Sequence, residues 1–138
     1  MAMKNVLTVG VFDLLHWGHF ELFRRAKRLA GEGGRLTVAI QNDDVVRLYK
    51  PRAKLVYDFA TRCKMVADLR SVDEVVPYAD VAEVVTRIPF DIFVVGDDQN
   101  HDGFLRAIEW CRRNGREVVR LKRTDGISTT LIETLCCK

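Results

Sequence analysis

The strand-like runs of this chain are apolar almost from end to end. Leu36-Thr37-Val38-Ala39-Ile40 and Ile92-Phe93-Val94-Val95 show little of the polar–apolar alternation expected of a sheet with one wet face. Both faces of such strands need cover. Runs of this kind are predicted at 5–10, 35–41, 72–77, 92–96 and 117–121, with helical patterns between them at 20–30, 58–69, 81–88, 103–114 and 128–135. In the first helical pattern Leu22, Phe23, Ala26, Leu29 and Ala30 recur at helical spacing, while Arg24, Arg25, Lys27 and Arg28 take the opposite side. Strict alternation of strand and helix predicts an α/β fold with a doubly wound, five-stranded parallel sheet. At 138 residues the chain has room for one such core, so residues 1–138 are expected to form a single domain, alone or within a longer enzyme.

A Rossmann-like sheet of this type binds ligands beyond the carboxyl ends of its strands. Three groups of reactive residues fall there. Residues 10–19 follow the first strand, Asp97 and Asp98 follow the fourth, and residues 123–130 follow the fifth. Composition narrows the ligand class. A net charge of +3 without a basic, aromatic-interleaved face argues against a nucleic-acid partner. No apolar run is long enough to span a membrane and no secretory segment is read at the start, so the expected location is the cytoplasm. The four cysteines, Cys63, Cys111, Cys136 and Cys137, contain no C-x-x-C pair and read as free thiols in a reducing compartment.

The turn after the first strand carries His16 and His19 around Gly18, where a strand becomes a helix. Unpaired N–H groups and the positive end of the helix dipole make such a turn an anion site. Two imidazoles there can each donate a hydrogen bond to one phosphate that gains negative charge in its transition state. A lone histidine more often caps a helix or lines a core. Two in a glycine-bracketed turn favour chemistry, and two ligands are too few for zinc. Arg123-Thr124-Asp125-Gly126-Ile127-Ser128-Thr129-Thr130 is at least a capped helix start. An arginine, three hydroxyls and free N–H groups also describe a triphosphate cradle. The basic stretch with Lys50, Arg52 and Lys54 is by default a solvated loop. Opposite an anion site, Lys50 or Lys54 can close over phosphate and Arg62 can clamp it bidentately. Asp97, Asp98 and Asp13 are each read either as helix caps or as groups orienting a sugar, a base or a magnesium-bound phosphate.

Phe12-Asp13-Leu14-Leu15-His16-Trp17-Gly18-His19, Val95-Gly96-Asp97-Asp98 and the 123–130 segment, in this order and spacing, resemble the cytidylyltransferase family, most of all its branch acting on glycerol 3-phosphate. The resemblance covers almost the whole chain. It implies CTP and a small phosphorylated alcohol as substrates, a CDP-alcohol and pyrophosphate as products, Mg2+ as cofactor and a homodimer as the working form. By the same resemblance, His16, His19, Lys50 and Arg123 are the expected catalytic groups. Gly10, Val11, Phe12, Gly96, Asp97, Arg123, Thr124, Gly126, Ile127, Ser128 and Thr129 are expected to join the histidines on the nucleotide, and Asp13, Lys50, Lys54, Arg62 and Asp98 to meet the acceptor. No metal ligand is assigned.

Two positions depart from the glycerol-phosphate pattern. Val11 stands where that branch usually has threonine, and Gln99-Asn100-His101-Asp102 replaces an aromatic-containing segment. A related branch acts on hydroxyalkylphosphonates such as 2-hydroxyethylphosphonate, which is the alternative acceptor class. An adenylyltransferase of the FAD or ADP-sugar type and a nucleotide-binding domain without catalysis are also compatible with the fold. The intact histidines and basic groups argue against a domain without catalysis. The expected chemistry is in-line attack by an ionised phosphate or phosphonate oxygen on the α-phosphorus, which needs no general base.

Overall fold

The computed structural model describes residues 3–52, 54–97 and 99–136. Elements follow in the order β1 (Asn5–Gly10), α1 (Trp17–Ala30), β2 (Arg35–Gln41), α2 (Asp43–Tyr49), α3 (Phe59–Ala67), β3 (Glu74–Tyr78), α4 (Val81–Arg87), β4 (Ile92–Gly96), α5 (Asp102–Arg113), β5 (Glu117–Leu121) and α6 (Thr129–Cys136). The strands form one parallel sheet ordered β3-β2-β1-β4-β5. Val6 lies opposite Leu36 on one side and Ile92 on the other. The doubly wound, Rossmann-like α/β fold read from the apolar runs is therefore the observed one.

Successive strand residues enter two separate cores, which is why their sequence lacks alternation. Leu7, Val9, Phe93 and Val95 pack with Val81, Val84, Phe104, Ala107 and Ile108 of α4 and α5. Val6, Leu36, Val38, Ile40, Ile92 and Val94 pack with Phe23, Ala26 and Ala30 of α1 and Val66 of α3. Burying one phenylalanine such as Phe23 or Phe93 contributes about 2–3 kcal/mol. The chain leaves β1 for β2 and β3 on one side and returns for β4 and β5 on the other. Strand order thus reverses between β1 and β4, and the crevice of such a sheet opens there.

Three local expectations shift. Helix α1 begins at Trp17, three residues early, because His16 caps it. Strand β3 begins at Glu74 because Val72 belongs to the turn after α3, its N–H donating to Leu69 O at 3.1 Å. Helix α2 was not anticipated. Its two turns are too short for periodicity, but Asn42 caps Val45 N at 3.0 Å and Asp43 and Asp44 complement the helix dipole. No helix among the described residues is long and apolar enough to cross a membrane.

Gly34 joins α1, β1 and β2 where no side chain fits. A Cβ there would lie 2.1 Å from Ala30 O and 2.6 Å from Lys4 O, both backbone atoms. Gly34→Ala should therefore lower the unfolding free energy by about 1–3 kcal/mol, as overpacking does, measured by chemical denaturation. An unchanged midpoint would contradict this junction.

Candidate active site

The turn from β1 to α1 is built around a bulky residue in an unusual conformation. Phe12 has a φ of 54°, the one non-glycine positive φ among the described residues. Its ring turns inward, 9% exposed, and meets Phe23 at 5.0 Å and His19 edge-on at 5.4 Å. Gly10 makes room for that ring, since a Cβ at Gly10 would come within 2.7 Å of it. Phe12 is expected among the nucleotide contacts; its ring is turned into the core, where it packs against Phe23 and His19.

The histidines cap the helix reciprocally. Gly18 N donates to His16 Nδ1 at 3.0 Å, and His16 N donates to His19 Nδ1 at 3.3 Å. With each Nδ1 accepting, the neutral rings carry hydrogen on Nε2 and present it as a donor. The rings stack at 3.9 Å with 27° between planes. Burial, then the neighbouring His16 and Arg123 charges, lowers the His19 pKa to about 4, and burial and Arg123 lower that of His16. At neutral pH both are uncharged donors. Gly18 keeps them together with the last segment: a Cβ there would lie 2.8 Å from the His16 ring and 3.4 Å from Ile127 Cγ2.

The 123–130 segment reaches this spot from β5. Arg25 of α1 donates to Lys122 O at 3.0 Å, fixing the strand exit against the helix that bears the histidines. Arg123 is exposed, and its charge acts on both imidazoles. Gly126 adopts a φ of 82°, Ser128 Oγ accepts from Leu131 N at 3.0 Å as a cap, and Thr129 opens α6. Thr124 and Ile127 are half-buried. The structure thus brings His16, His19, Arg123 and Ile127 together.

Other candidates have different surroundings. Lys50 and Lys54 are exposed, on the loop after α2. That loop is fastened to the turn by Asp13, whose two oxygens accept from Val56 N at 2.7 Å and Tyr57 N at 2.8 Å. Asp13 is 8% exposed with both oxygens taken up, so it holds a loop and does not present an acceptor ligand. Arg62, expected as a phosphate clamp, is fully buried. Its guanidinium donates to Val11 O at 2.8 Å, Gln41 O at 2.9 Å, Tyr57 O at 3.2 Å and the Asp43 carboxylate. Arg62 is a brace under the turn. Asp43, which sequence reasoning passed over, completes it by also accepting from Phe59 N at 3.0 Å. Its only sequence signal is an acid in the first turn of an unrecognised helix.

At the end of β4, Gln99 closes on Gly96 twice: Gly96 N donates to Gln99 Oε1 at 2.9 Å, and Gln99 N donates to Gly96 O at 3.2 Å. Asp97 is exposed beside it. Asp98 lies outside the described residues. Among the described residues no three His, Cys, Asp or Glu side chains cluster to hold a metal.

Residues 7–135 match the cytidylyltransferase-like family model. The chain is 41% identical to glycerol-3-phosphate cytidylyltransferase of Bacillus subtilis (strain 168), over 95% of either chain. It is 38% identical to the enzyme of that name from Staphylococcus aureus, covering 95% of this chain and 93% of the relative. Among solved structures it resembles a lipopolysaccharide core biosynthesis protein from Thermoplasma volcanium GSS1, with a TM-score of 0.76 and 25% identity over 90% of this chain and 100% of that one.

Removing the Arg62 guanidinium strands the Asp43 carboxylate and three carbonyls. Arg62→Ala should cost about 3–5 kcal/mol of stability, the range for breaking a buried pair, by urea denaturation. Normal stability with only weakened acceptor binding would restore Arg62 as a clamp.

Proposed function

The chain belongs to the cytidylyltransferase-like family, and on that premise we propose that it transfers CMP from CTP to a phosphate oxygen of a small phosphorylated alcohol, glycerol 3-phosphate foremost. The observation that carries this reading is the pair of neutral, stacked imidazoles, each with hydrogen on Nε2, beside Arg123. An ionised acceptor oxygen attacks the α-phosphorus, the bond from that phosphorus to the bridging oxygen breaks, and pyrophosphate leaves with the electron pair. No proton need be removed from the nucleophile. The catalytic task is to meet negative charge as it spreads over the α-phosphate oxygens, and preorganised donors of this type are worth about 3–4 kcal/mol each.

In this proposal His16 and His19 donate to the α-phosphate. Arg123 takes triphosphate oxygens in its fork, and the backbone of Thr124, Gly126, Ile127, Ser128 and Thr129 lines the helix start that receives the rest. Gly10, Val11, Gly96 and Asp97 border the nucleotide. Lys50 and Lys54, on a loop anchored to the turn through Asp13, supply cations toward the acceptor's phosphate. Magnesium, bound with the triphosphate, would offset its negative charge beside Arg123. A cytoplasmic homodimer is part of the same reading.

Val11 favours a second acceptor class. A valine lines the turn where a hydroxyl is usual in the glycerol-phosphate branch, and a site without a partner for a hydroxyl loses selectivity for it. A hydroxyalkylphosphonate such as 2-hydroxyethylphosphonate offers the same dianionic head on a shorter body. Pyrophosphate release with CTP or ATP, across a panel of phosphorylated alcohols and hydroxyalkylphosphonates, tests both. The expected result is release with CTP and a preference for glycerol 3-phosphate. Turnover confined to ATP would overturn the cytidylyl assignment, and a hundredfold preference for the phosphonate would reverse the order of acceptors.

His16→Gln and His19→Gln should each lower kcat by about two to three decades in folded protein. Near-normal turnover in either would remove the imidazoles from the chemistry. Arg123→Ala should weaken CTP binding about 10- to 100-fold by calorimetry, the range for charge-assisted hydrogen bonds. Unchanged affinity would count against the cradle.

A further inference from the structure

We propose that Phe12 is a positioning residue: its ring, folded under Gly10 in a left-handed turn, holds the His19 imidazole upright against His16 and fixes the direction of the second Nε2 donor. The inference rests on the reading of His19 as a donor to the reacting phosphate.

Three observations converge on it. A bulky residue at a φ of 54° is costly, on the order of 1–3 kcal/mol, and persists only where its surroundings overdetermine it. Here they do. The ring is wedged between Phe23 and His19, and Gly10 surrenders its side-chain space to it. Second, the His19 ring has two aromatic neighbours of different kinds. His16 stacks on it at 3.9 Å, and Phe12 meets it edge-on at 5.4 Å with 86° between planes. Stacking alone allows a ring to slide and turn; a perpendicular neighbour stops that motion. Third, the His16 N–H bond to His19 Nδ1 is long, at 3.3 Å. One bond of that length fixes a ring weakly, so the apolar wedge must supply the rest.

The wedge also governs protonation. The groups acting on His19 are His16 on its own helix and Arg123 from the segment after β5, and both disfavour the imidazolium. Phe12 adds the apolar wall, and burial is the largest cause of the low His19 pKa. Taking the wall away lets water reach the ring. The pKa then rises, and the donor becomes both looser and more readily charged.

Phe12→Leu keeps an apolar residue and removes the flat edge; Phe93→Leu, in the core on the other face of the sheet, is the control for lost aromatic packing. Phe12→Leu should lower kcat by roughly ten- to a hundredfold, the scale of a misplaced catalytic group. The KM for CTP should stay within about threefold, and the His19 pKa, followed by NMR titration of the ligand-free protein, should rise, because leucine covers less of the His19 ring and lets water reach the part left bare. Phe93→Leu should leave that titration where it is. Phe12→Met, unbranched and more adaptable, serves if the leucine variant does not fold. A folded Phe12 variant with parental kcat and His19 titration would overturn the proposal, as would an equal loss of kcat in Phe93→Leu. A raised His19 pKa with unchanged kcat would overturn its catalytic half. If His19→Gln itself turns over normally, the failure lies with the donor role of His19 and not with the wedge, which the ligand-free titration reports independently.

Discussion

A cation enclosed in the protein, the Arg62 guanidinium, ties together the segments on which the site is built. It joins Val11 of the turn between β1 and α1, Gln41 at the end of β2, Tyr57 of the basic loop and Asp43 at the start of α2. Enclosing a charge costs several kcal/mol unless it is paired and its donors are satisfied. Here both conditions hold, and among the described residues no buried side-chain polar atom lacks a partner. The sheet below is held by apolar contact, which tolerates small shifts. The turn above is held by directional bonds, which do not. Asp13 extends the arrangement by fastening Val56 and Tyr57 to the same turn, so two residues of opposite charge set the height of the basic loop over the crevice.

What was legible in the sequence follows from how local each signal is. The strands were readable because burial on both faces leaves an unbroken apolar run, as in Ile92–Gly96. The turn that brings His16 and His19 together was readable because glycines bracket a change from strand to helix there. Arg62 and Asp13 misled for a physical reason. A charge near an anion site suggests a ligand, and only the path of α2, a two-turn helix with no periodicity to detect, shows that Arg62 is closed over. The inward turn of Phe12 was equally hidden, since residue type disfavours a φ of 54° and only the packing of Gly10, His19 and Phe23 imposes it.

The histidines link acidity to folding. An unfolded histidine takes up its proton near pH 6.5, whereas folded His19 resists until about pH 4. Between those values the unfolded state binds more protons, so stability conferred above pH 6.5 is lost as the pH falls toward 4. Protonation of either ring also cancels an Nδ1 acceptor that closes the first turn of α1. Acid therefore weakens the helix start and the donor pair together.

That shared use of atoms has a consequence for how this chain can vary. Serine, aspartate and asparagine are the strongest residues at the head of a helix, and His16 holds that place with a bulkier, less favoured side chain. Selection for thermal endurance alone would pull position 16 toward aspartate or serine, gaining a firmer helix and discarding an imidazole. On the proposed function, the suboptimal cap at His16 is kept for its imidazole, and a drift toward the ideal cap in any descendant would signal that turnover had ceased to matter.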